Sequence, residues 1–533
     1  MEEPTTQTTG LDKYTGEWSL TDAAHLLRRT TFGPTLAEIK MGHAMGLDAL
    51  VQRLIQPSPM PNPPLNANFA DDPNVPIGST WVTAPYVAGE NLERYRNQSL
   101  AAWTLQQQLQ EQFSLREKMT LFWYNHFAVH NINDPKYLYK HVTLLRENAL
   151  GNFKQLVKEV TLDPAMLRFL NGNQNTRQAP NENFARELLE LYTIGKGPQV
   201  AQGDYSNYTE EDVIAIAKVL TGWRDIGYRT LNPSVQLHAI FVANRHDTST
   251  KQLSHRFGQA VIPNMGEREY SYLIDLIFQQ QEVARFICRK LYRWFVYYVI
   301  DESVENAIIE PLADLLIRQN FELQEVVRTL ISSEHFFDRL NRGPMIKHPL
   351  DFMIGLLRQF EVPQAPNPGP NQTVFFQLYN IASSMDMNYY NPPSVSGWKA
   401  WHQEPGYYRF WINGTTLPIR ENFSDALAGP GLRFAGHLLR INALAFLDKL
   451  DEPADVNALI ESCIVALLPQ DLTADQKAAL KDLLVGGLPD FVWNNEYVAY
   501  KTEPGNTNAA ALVEGKFRNF IKTMLSMAEY YLS

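Results

Sequence analysis

Apolar residues recur at helical spacing over most of this 533-residue chain, and this periodicity is the strongest constraint on its fold. The clearest stretch is residues 181–192, NENFARELLELY. At 3.6 residues per turn, Phe184 falls on an apolar arc, while Asn183, Glu187 and Glu190 form a narrow polar strip. The stretch therefore predicts an amphipathic helix that carries two carboxylates along its polar edge.

The same periodicity predicts helices along most of the chain, among them 47–55, 117–130 and 433–449. Alternation of apolar and polar residues is weak and is found mainly at 235–242, which suggests a short hairpin with 253–257. The sequence therefore predicts an all-α fold, a large multi-helix domain with long irregular loops and at most a small β-hairpin.

The length of the chain leaves the number of domains open, because single cores normally stop growing near ~250–300 residues. We expect contacts between early and late helices. The prediction is therefore a flexible N-terminal tail at 1–17 followed by a single large helical domain at 18–533. Stretches rich in Pro, Gly or aromatic residues predict loop insertions near 57–90, 363–371 and 388–421.

Composition and charge argue against several classes of function. The chain has 47 Lys and Arg residues against 58 Asp and Glu residues, a formal charge of −11, which disfavours a nucleic-acid surface. No apolar run approaches the ~18–20 residues of a membrane span. Cys288 and Cys463 are interpreted as reduced core residues, with a disulfide between them left open. The N-terminus lacks a signal-peptide core, so either the protein is cytosolic or a leader was removed.

Two histidines provide the first candidate chemistry. His126 and His130 are four residues apart on the predicted helix over 117–130, a spacing that can place two imidazoles on one metal ion. The alternative is a buried histidine with a hydrogen-bond partner and an exposed one at a helix end. The glutamate that follows the first histidine in metalloprotease helices is missing, so zinc-peptidase chemistry is not indicated.

The polar strip of the 181–192 helix provides the second candidate. Arg186 and Glu190 have the i, i+4 spacing of a surface ion pair. Glu187 lies nearer the apolar arc, where a partly buried carboxylate needs a partner. The strip could exchange protons or hold a metal, and it could equally be a solvated helix face.

Two loops complete the candidates. His246 and Asp247, with Lys251 four residues on, form a reasonable acid–base or ligand set. A turn stabilised by the Asp247 side chain is the alternative. The loop at 391–398 presents Trp398, whose face suits a sugar ring or a peptide, or plugs the core. Neither a nucleophile elbow, nor a phosphate loop, nor a dinucleotide fingerprint occurs in the sequence.

Taken together, these blocks resemble a bacterial family catalogued as domain of unknown function 1800. The blocks occur in family order from about residue 20 to the C-terminus. They are 25–33 (HLLRRTTFG), 122–127 (FWYNHF), 181–191 (NENFARELLEL), 208–213 (YTEEDV) with 221–223 (TGW), His246-Asp247 with Lys251, and 392–398 (PPSVSGW).

The resemblance implies a mostly helical, exported bacterial protein, so we expect an extracytoplasmic location, periplasmic or secreted. Members often accompany a second family that looks like phosphatases and sulfatases, which suggests such a companion protein as a partner. Members often have Trp-His-Asn-His-Phe where this chain has Tyr124, so a mechanism that needs a histidine there is in doubt. The family blocks also contain most of the candidate residues, which suggests one pocket built from three segments.

Two hypotheses about function follow. The first is a hydrolase or lyase that acts on a polysaccharide or another cell-envelope polymer, with the loops at 57–90 and 388–421 as cleft walls and a divalent metal as a candidate cofactor. The alternative is a non-catalytic protein that binds a glycan or a partner. The candidate catalytic residues are His126, Glu187, His246, Asp247 and Arg186, and the candidate substrate-binding residues are Asn183, Glu190, Lys251, Trp223 and Trp398.

Overall fold

The structure, a computed structural model, describes residues 10–503 and 505–533. Helices make up nearly all of its regular structure, which confirms the predicted all-α class. The first part of the chain forms α1 (Leu20–Thr30), α2 (Leu36–Met45), α3 (Leu47–Ile55), α4 (Leu92–Gln110), α5 (Arg116–His126), α6 (Pro135–Glu147), α7 (Phe153–Thr161), α8 (Pro164–Phe169), α9 (Glu182–Glu187) and α10 (Glu210–Val219).

The middle of the chain continues in the same style. Its helices are α11 (Glu269–Ile277), α12 (Gln281–Phe295), α13 (Glu302–Val304), α14 (Glu310–Arg318), α15 (Leu323–Ile331), α16 (Glu334–Phe337), α17 (Pro349–Gln359) and α18 (Pro368–Ser384). The last part forms α19 (Thr416–Ala428), α20 (Ala443–Leu447), α21 (Val456–Leu467), α22 (Ala474–Val485), α23 (Phe491–Thr502) and α24 (Thr507–Ser526). Two helices contain π-helical turns, Leu188–Thr193 after α9 and Glu305–Ile309 between α13 and α14.

Strands in the described residues form only short antiparallel pairs. The pairs are β1 (Gln199–Ala201) with β2 (Asp204–Tyr205), β3 (Trp223–Ile226) with β4 (His238–Phe241), β5 (Lys251–Gln252) with β6 (Val261–Ile262), and β7 (Leu432–Phe434) with β8 (His437–Leu439). The predicted pairing of 235–242 with 253–257 is therefore wrong. β4 pairs with β3, so that Trp223 lies opposite Phe241, and this long-range pairing left no periodic signal in the sequence.

Two predicted helices differ from the structure, one in its end and one along its whole length. The helix over 117–130 stops at His126, so His130 lies in a loop. The helix over 433–449 is replaced by the β7–β8 hairpin and the short α20. At the hairpin turn Ala435 and Gly436 have φ of 48° and 79°, the left-handed backbone that a two-residue turn requires and that a helix cannot contain.

The buried apolar side chains form one connected cluster that spans the chain, and early helices pack against late ones as predicted. α1 contacts α21, α3 contacts α15, and α4 packs along α17 and α18. The C-terminal α24 lies against α19, α20, α22 and α23. The assignment of 18–533 to one domain stays a prediction.

The predicted tail and insertions correspond to particular segments. Residues 1–9 of the tail lie outside the described residues, while the Tyr14 amide donates to Ser332 O at 2.9 Å. The stretch 57–90 holds one isolated bridge, Leu65 with Thr80, and no helix or strand in its described residues. The other two insertions are shorter than predicted, because α18 begins at Pro368 and α19 at Thr416.

Candidate functional site

His126 ends α5 with its imidazole 2% exposed. Its Nε2 lies 3.1 Å from Tyr192 O and its Nδ1 3.0 Å from Lys290 Nζ. Nε2–H therefore donates to the carbonyl, and Nδ1 accepts from the lysine. Burial and the Lys290 charge lower the pKa of His126 well below its usual value, so the imidazole is neutral.

Lys290, on α12, is a residue that the sequence analysis missed. Its amine bonds to His126 and to Leu191 O, at 3.2 Å, and forms no ion pair with a carboxylate in the described residues. Burial and the nearby Arg293 lower the pKa of Lys290 to about 7. No sequence pattern could have marked it, because lysine is common on amphipathic helices.

His130 does not share a site with His126. Its Nδ1 accepts from Asn131 Nδ2 at 2.8 Å, and its ring packs against Phe169 at 4.6 Å. In the described residues no group of three or more His, Cys, Asp or Glu side chains has the arrangement to hold a metal ion.

The polar strip at 181–192 forms a surface network. Arg186 bonds Glu210 through both terminal nitrogens, at 2.8 and 2.7 Å, and lies 3.7 Å from Glu190. Glu190 also accepts from the Tyr208 hydroxyl. Glu187 is half-buried, and burial together with the Glu190 charge raises its pKa. Asn183 is exposed.

His246, Glu269 and Lys251 form a buried cluster that we call the closed network. The Glu269 carboxylate, 0% exposed, accepts hydrogen bonds from His246 Nε2 at 2.9 Å, Lys251 Nζ at 2.6 Å and the Met265 amide at 3.0 Å. Burial disfavours the charge on Glu269, but the hydrogen bonds from His246 and Lys251 outweigh it and lower the pKa of Glu269. Sequence analysis found two of the three members and missed Glu269, which is distant in the chain.

Asp247 lies beside the closed network in the turn that the sequence analysis gave as the alternative. Its Oδ1 accepts from the Ser249 amide at 2.9 Å, and Lys251 Nζ lies 4.0 Å away. Hydrogen bonds from Ser249 outweigh partial burial and lower the pKa of Asp247. A carboxylate bound in this way stabilises the loop that carries His246 and Lys251.

The two candidate tryptophans are core residues. Trp223 is 8% exposed and packs between Phe241 and Tyr270. Trp398 is 2% exposed, and its amide donates to Asn125 Oδ1 at 2.9 Å. Gly397, with φ of 80°, lies so close to Asn125 that an added Cβ would meet that Oδ1 at 2.2 Å, which explains the glycine before the tryptophan.

The candidate catalytic residues thus lie in three separate environments. His126 is in the core beside α12, Arg186 and Glu187 are near the surface of α9, and His246 is inside the closed network. His126 bonds Tyr192 O in the π-helical turn that follows α9, but in the described residues no hydrogen bond, ion pair or ring contact joins a candidate side chain of one environment to a candidate side chain of another. Their catalytic roles stay predictions, and a single pocket built from them has no support in the contacts.

A solvent-open cavity of about 1020 Å³, which we call the wide cleft, lies elsewhere. Its walls come from α6, α7, the start of α8, the β3–β4 loop at 233–239, Tyr270 on α11, and residues 82–83 of the first insertion. Three lysines (136, 140, 158) face three carboxylates (Glu147, Glu159, Asp163), and two tyrosines, Tyr139 and Tyr270, add aromatic surface. None of the ten candidate residues lines it.

The carboxylate of Asp163, a residue that lines the wide cleft, is only partly satisfied by hydrogen bonds. Its Oδ2 accepts from the amides of Ala165 and Met166, at 3.0 and 3.1 Å, and lies 3.1 Å from His141 Nδ1. Its Oδ1 is buried and has no hydrogen-bond partner in the described part of the chain. An unsatisfied oxygen of this kind is costly in a folded protein unless a water or a ligand group completes it.

His141 supports that carboxylate from behind. Its Nε2–H donates to Phe127 O at 3.0 Å, so a further proton lies between Nδ1 and Asp163 Oδ2. The ring of Tyr124 packs edge-on to His141 at 5.6 Å. In the sequence, Asp163 is followed by Pro164, a pair that often begins a helix. This pair indicates a helix cap and gives no sign of a cleft.

A second cleft, of about 1160 Å³, differs in charge. Six carboxylates and three arginines line it, around Asp22, Arg342 and Glu461. The wide cleft, with its balanced charge, tyrosines and unsatisfied carboxylate, is the better candidate for the functional site.

Fold and cleft together define an all-α, multi-helix protein with an open polar cleft. The sequence model of the family described as "Protein of unknown function (DUF1800)" matches residues 25–495, so the chain belongs to that family. Both Asp163 and His141 lie within the matched region. No curated protein and no solved structure matches the chain. In the described residues no helix is long and apolar enough to cross a membrane.

Proposed function

We propose that this protein binds a neutral carbohydrate chain of the cell envelope in the wide cleft. The observation that carries the proposal is the wide cleft, a polar cavity large enough for an oligosaccharide, with Asp163 in its wall; the Asp163 side chain is 0% exposed, and its Oδ1 has no partner in the described residues. A sugar hydroxyl is the kind of donor that would complete it.

The charge and surface of the cleft favour the same ligand class. Three lysines and three carboxylates cancel formally, so the cleft attracts neither strong anions nor strong cations. Tyrosine combines an aromatic body with a polar hydroxyl, which suits the apolar face and the hydroxyl rim of a sugar ring. Tyr139 and Tyr270 supply this surface on the cleft.

Family membership supports the rest of the proposal. The resemblance of the chain to exported proteins favours an extracytoplasmic location and an envelope polysaccharide as the ligand. It also favours a phosphatase- or sulfatase-like companion protein, which would act on the carbohydrate that this protein binds. Cell fractionation with an antibody to the protein tests the location directly.

A hydrolase acting in the same cleft is the second candidate. Glycoside hydrolysis normally uses two carboxylates that flank the scissile bond, and Glu147, Glu159 and Asp163 all line the wide cleft. If the protein is such a hydrolase, Asp163, hydrogen-bonded to His141, acts as the general base. Reducing-sugar release from the bound polysaccharide distinguishes it from binding alone.

The test is affinity electrophoresis in gels that contain soluble neutral polysaccharides, with Asp163→Asn as the probe. Asparagine caps a helix as well as aspartate does, so the variant keeps α8 while removing the carboxylate. We expect the retardation seen with the unmodified protein to weaken by about tenfold in apparent affinity, the loss of one charge-assisted hydrogen bond.

The chain offers a matched control. Asp455 caps α21 by accepting from the amides of Asn457 and Ala458, the pattern of Asp163 on α8, but it is exposed and outside the cleft. Asp455→Asn should bind as the unmodified protein does. Equal retardation of both variants, or no retardation by any neutral glucan or peptidoglycan-type glycan, would contradict the proposal.

A further inference from the structure

A second buried cluster of charges lies between α1, α5, α12 and α17. Five cationic side chains gather there around a single carboxylate, Asp351. In the described residues Asp351 is the one carboxylate that forms an ion pair with any of the five. The cations are Arg28, Arg29, Lys118, Lys347 and Arg420.

The protein bonds that hold these cations are mostly to carbonyl oxygens. Arg29 donates to Phe295 O and Val296 O, both at 2.9 Å, and to the main-chain O and the hydroxyl of Ser533, both at 3.1 Å. Lys347 donates to Tyr530 O at 2.6 Å, and Lys118 bonds Asp351 and, at 3.3 Å, Thr31 O. Carbonyls satisfy donors but cancel no charge, so Asp351 is the one side-chain carboxylate in the described residues that offsets these cations by an ion pair.

The local electrostatics reflect this imbalance. Burial lowers the pKa of Arg28, of Arg29 and of Arg420 to about 10. In contrast, Arg146, which forms two hydrogen bonds to Glu117, has its pKa raised. Burying uncompensated charge is expensive, and an anion at this position would offset that cost.

A cavity of about 30 Å³ lies inside the cluster, and we call it the aromatic pocket. Arg28, Arg29, Lys118 and His348 line it together with the indoles of Trp294, Trp401 and Trp411. The Trp294 and Trp401 rings lie 4.8 Å apart, and His348 meets Trp401 edge-on at 5.5 Å. One water needs ~10–15 Å³, so the pocket has room for a group of a few atoms.

Two hydrogen-bond donors on the pocket lining have no partner among the residues that the structure describes. They are Nε of Arg28, a residue 6% exposed, and Nε1 of Trp294, a residue 8% exposed. Arg28 also borders the second cleft, so it forms part of the wall between the two cavities. Two buried N–H donors without acceptors in the described residues, beside several cationic side chains, favour an acceptor that carries negative charge.

We propose that the aromatic pocket binds a small oxyanion, a sulfate, phosphate or carboxylate group, between Arg28 Nε and Trp294 Nε1. Arg29 and Lys118 supply further positive charge. Tyr408 and Trp401, both partly exposed, form the outer wall, so the group enters alone or at the end of a larger molecule. This site is independent of the wide cleft.

Titration calorimetry with sodium sulfate at constant ionic strength tests the proposal. Trp294→Phe keeps an aromatic ring, removes part of the indole and deletes a donor that has no protein partner in the described residues, so we expect it to fold. It should weaken sulfate binding several-fold, and Arg28→Gln should weaken it by about tenfold or more, as loss of a hydrogen bond to a charged group implies.

The control is Trp103→Phe. Trp103 is 6% exposed, and its Nε1 donates to Asn62 O at 2.8 Å, outside the pocket. This variant should bind sulfate as the unmodified protein does. Absence of saturable sulfate binding to the unmodified protein would overturn the proposal, and so would equal binding by Trp294→Phe and Trp103→Phe.

Two further arms identify the source of the anion. Sodium acetate in place of sulfate tests a planar carboxylate. A sulfated disaccharide that competes with free sulfate indicates a group carried on a glycan, and a disaccharide that fails to compete indicates a free ion. Both results are compatible with the site, and they assign its ligand.

Discussion

The closed network and the aromatic pocket are two buried charged clusters in the same protein, and they differ in how completely their charges are paired. In the closed network the Glu269 carboxylate lies between His246 and Lys251, and the side-chain polar atoms of all three have partners. On the lining of the aromatic pocket Asp351 is the one carboxylate beside Arg28, Arg29 and Lys118, and two lining donors have no acceptor in the described residues.

The difference shows which feature of a buried cluster indicates function. His246, Asp247 and Lys251 were attractive candidates because their chemistry is versatile, yet in the structure they stabilise one another. Arg28 and Lys118 were not among the candidates, although Arg28 Nε has no hydrogen-bond partner in the described residues. An unsatisfied group in the interior, rather than a reactive residue type, is the stronger indication of a ligand.

The largest effect is expected from Asp351→Asn. Burial disfavours the Asp351 charge, but His348 and Lys118 outweigh it and hold the pKa of Asp351 well below its usual range. Asp351 is the one carboxylate in the described residues that forms an ion pair with the cluster, so the free energy of unfolding should fall by about 4–5 kcal/mol, the upper range for a broken buried pair. Urea unfolding measures it. A loss below 1 kcal/mol would show that the cluster is already neutralised.

A slightly smaller loss is expected from Glu269→Gln in the closed network. The Lys251 ammonium would keep Asp247 as a distant partner, at 4.0 Å, so the free energy of unfolding should fall by about 3 kcal/mol. Urea unfolding of both variants without and with a low concentration of sulfate compares the two clusters. Sulfate should raise the free energy of unfolding of Asp351→Asn and leave that of Glu269→Gln unchanged. Restoration of both variants would erase the distinction between the clusters.

The third prediction concerns pH and Lys347. Burial, with the Arg28 and Arg420 charges, lowers the pKa of Lys347 to about 7, and Asp351 opposes the shift. Among the described residues its amine donates to Tyr530 O alone, and the Tyr530 ring lies 4.1 Å from the amine. Between pH 7 and 9 the unfolded chain therefore binds a proton that the folded chain does not, and stability rises with pH.

Lys347→Met should remove that contribution, at most about 1.4 kcal/mol per pH unit for one proton. Urea midpoints at pH 7 and pH 9 measure the slope, with Lys140→Met, an exposed lysine, as the control. An unchanged slope in Lys347→Met would mean that the folded protein keeps this lysine charged, as it would beside a bound anion.

The smallest effect is expected at the surface. Arg186, with 30% of its side chain exposed, pairs with Glu210, so Arg186→Ala should cost about 0.5–1 kcal/mol, and less at high salt. Thermal unfolding at two salt concentrations measures it. A loss above 2 kcal/mol would place this pair in the class of the buried clusters.

Local signals in the sequence predicted much of the fold. α3 has the predicted bounds, Leu47–Ile55, and Thr209 caps α10 through a capping box with Asp212, three residues on. The signals failed where long-range contacts decide the structure. Trp223 pairs across β3 and β4, and α5 ends at His126, although the pattern continues beyond it.

The candidate sites depend even more on long-range contacts. His246 and Lys251 are close in sequence and were found together, but Glu269, which joins them, lies on α11. Arg28, Lys118, Trp294 and His348 meet in the aromatic pocket from four distant helices or helix ends. Periodicity assigns each of them to a helix face and contains no information about which faces meet.

Selenate soaked into crystals of the protein gives the most direct test of the claim that the incomplete cluster, and not the complete one, is a ligand site. Anomalous scattering at the selenium edge should show a peak between Arg28 and Trp294 and none beside Glu269. A peak at the closed network, or an empty aromatic pocket with selenate bound only at surface lysines, would contradict it.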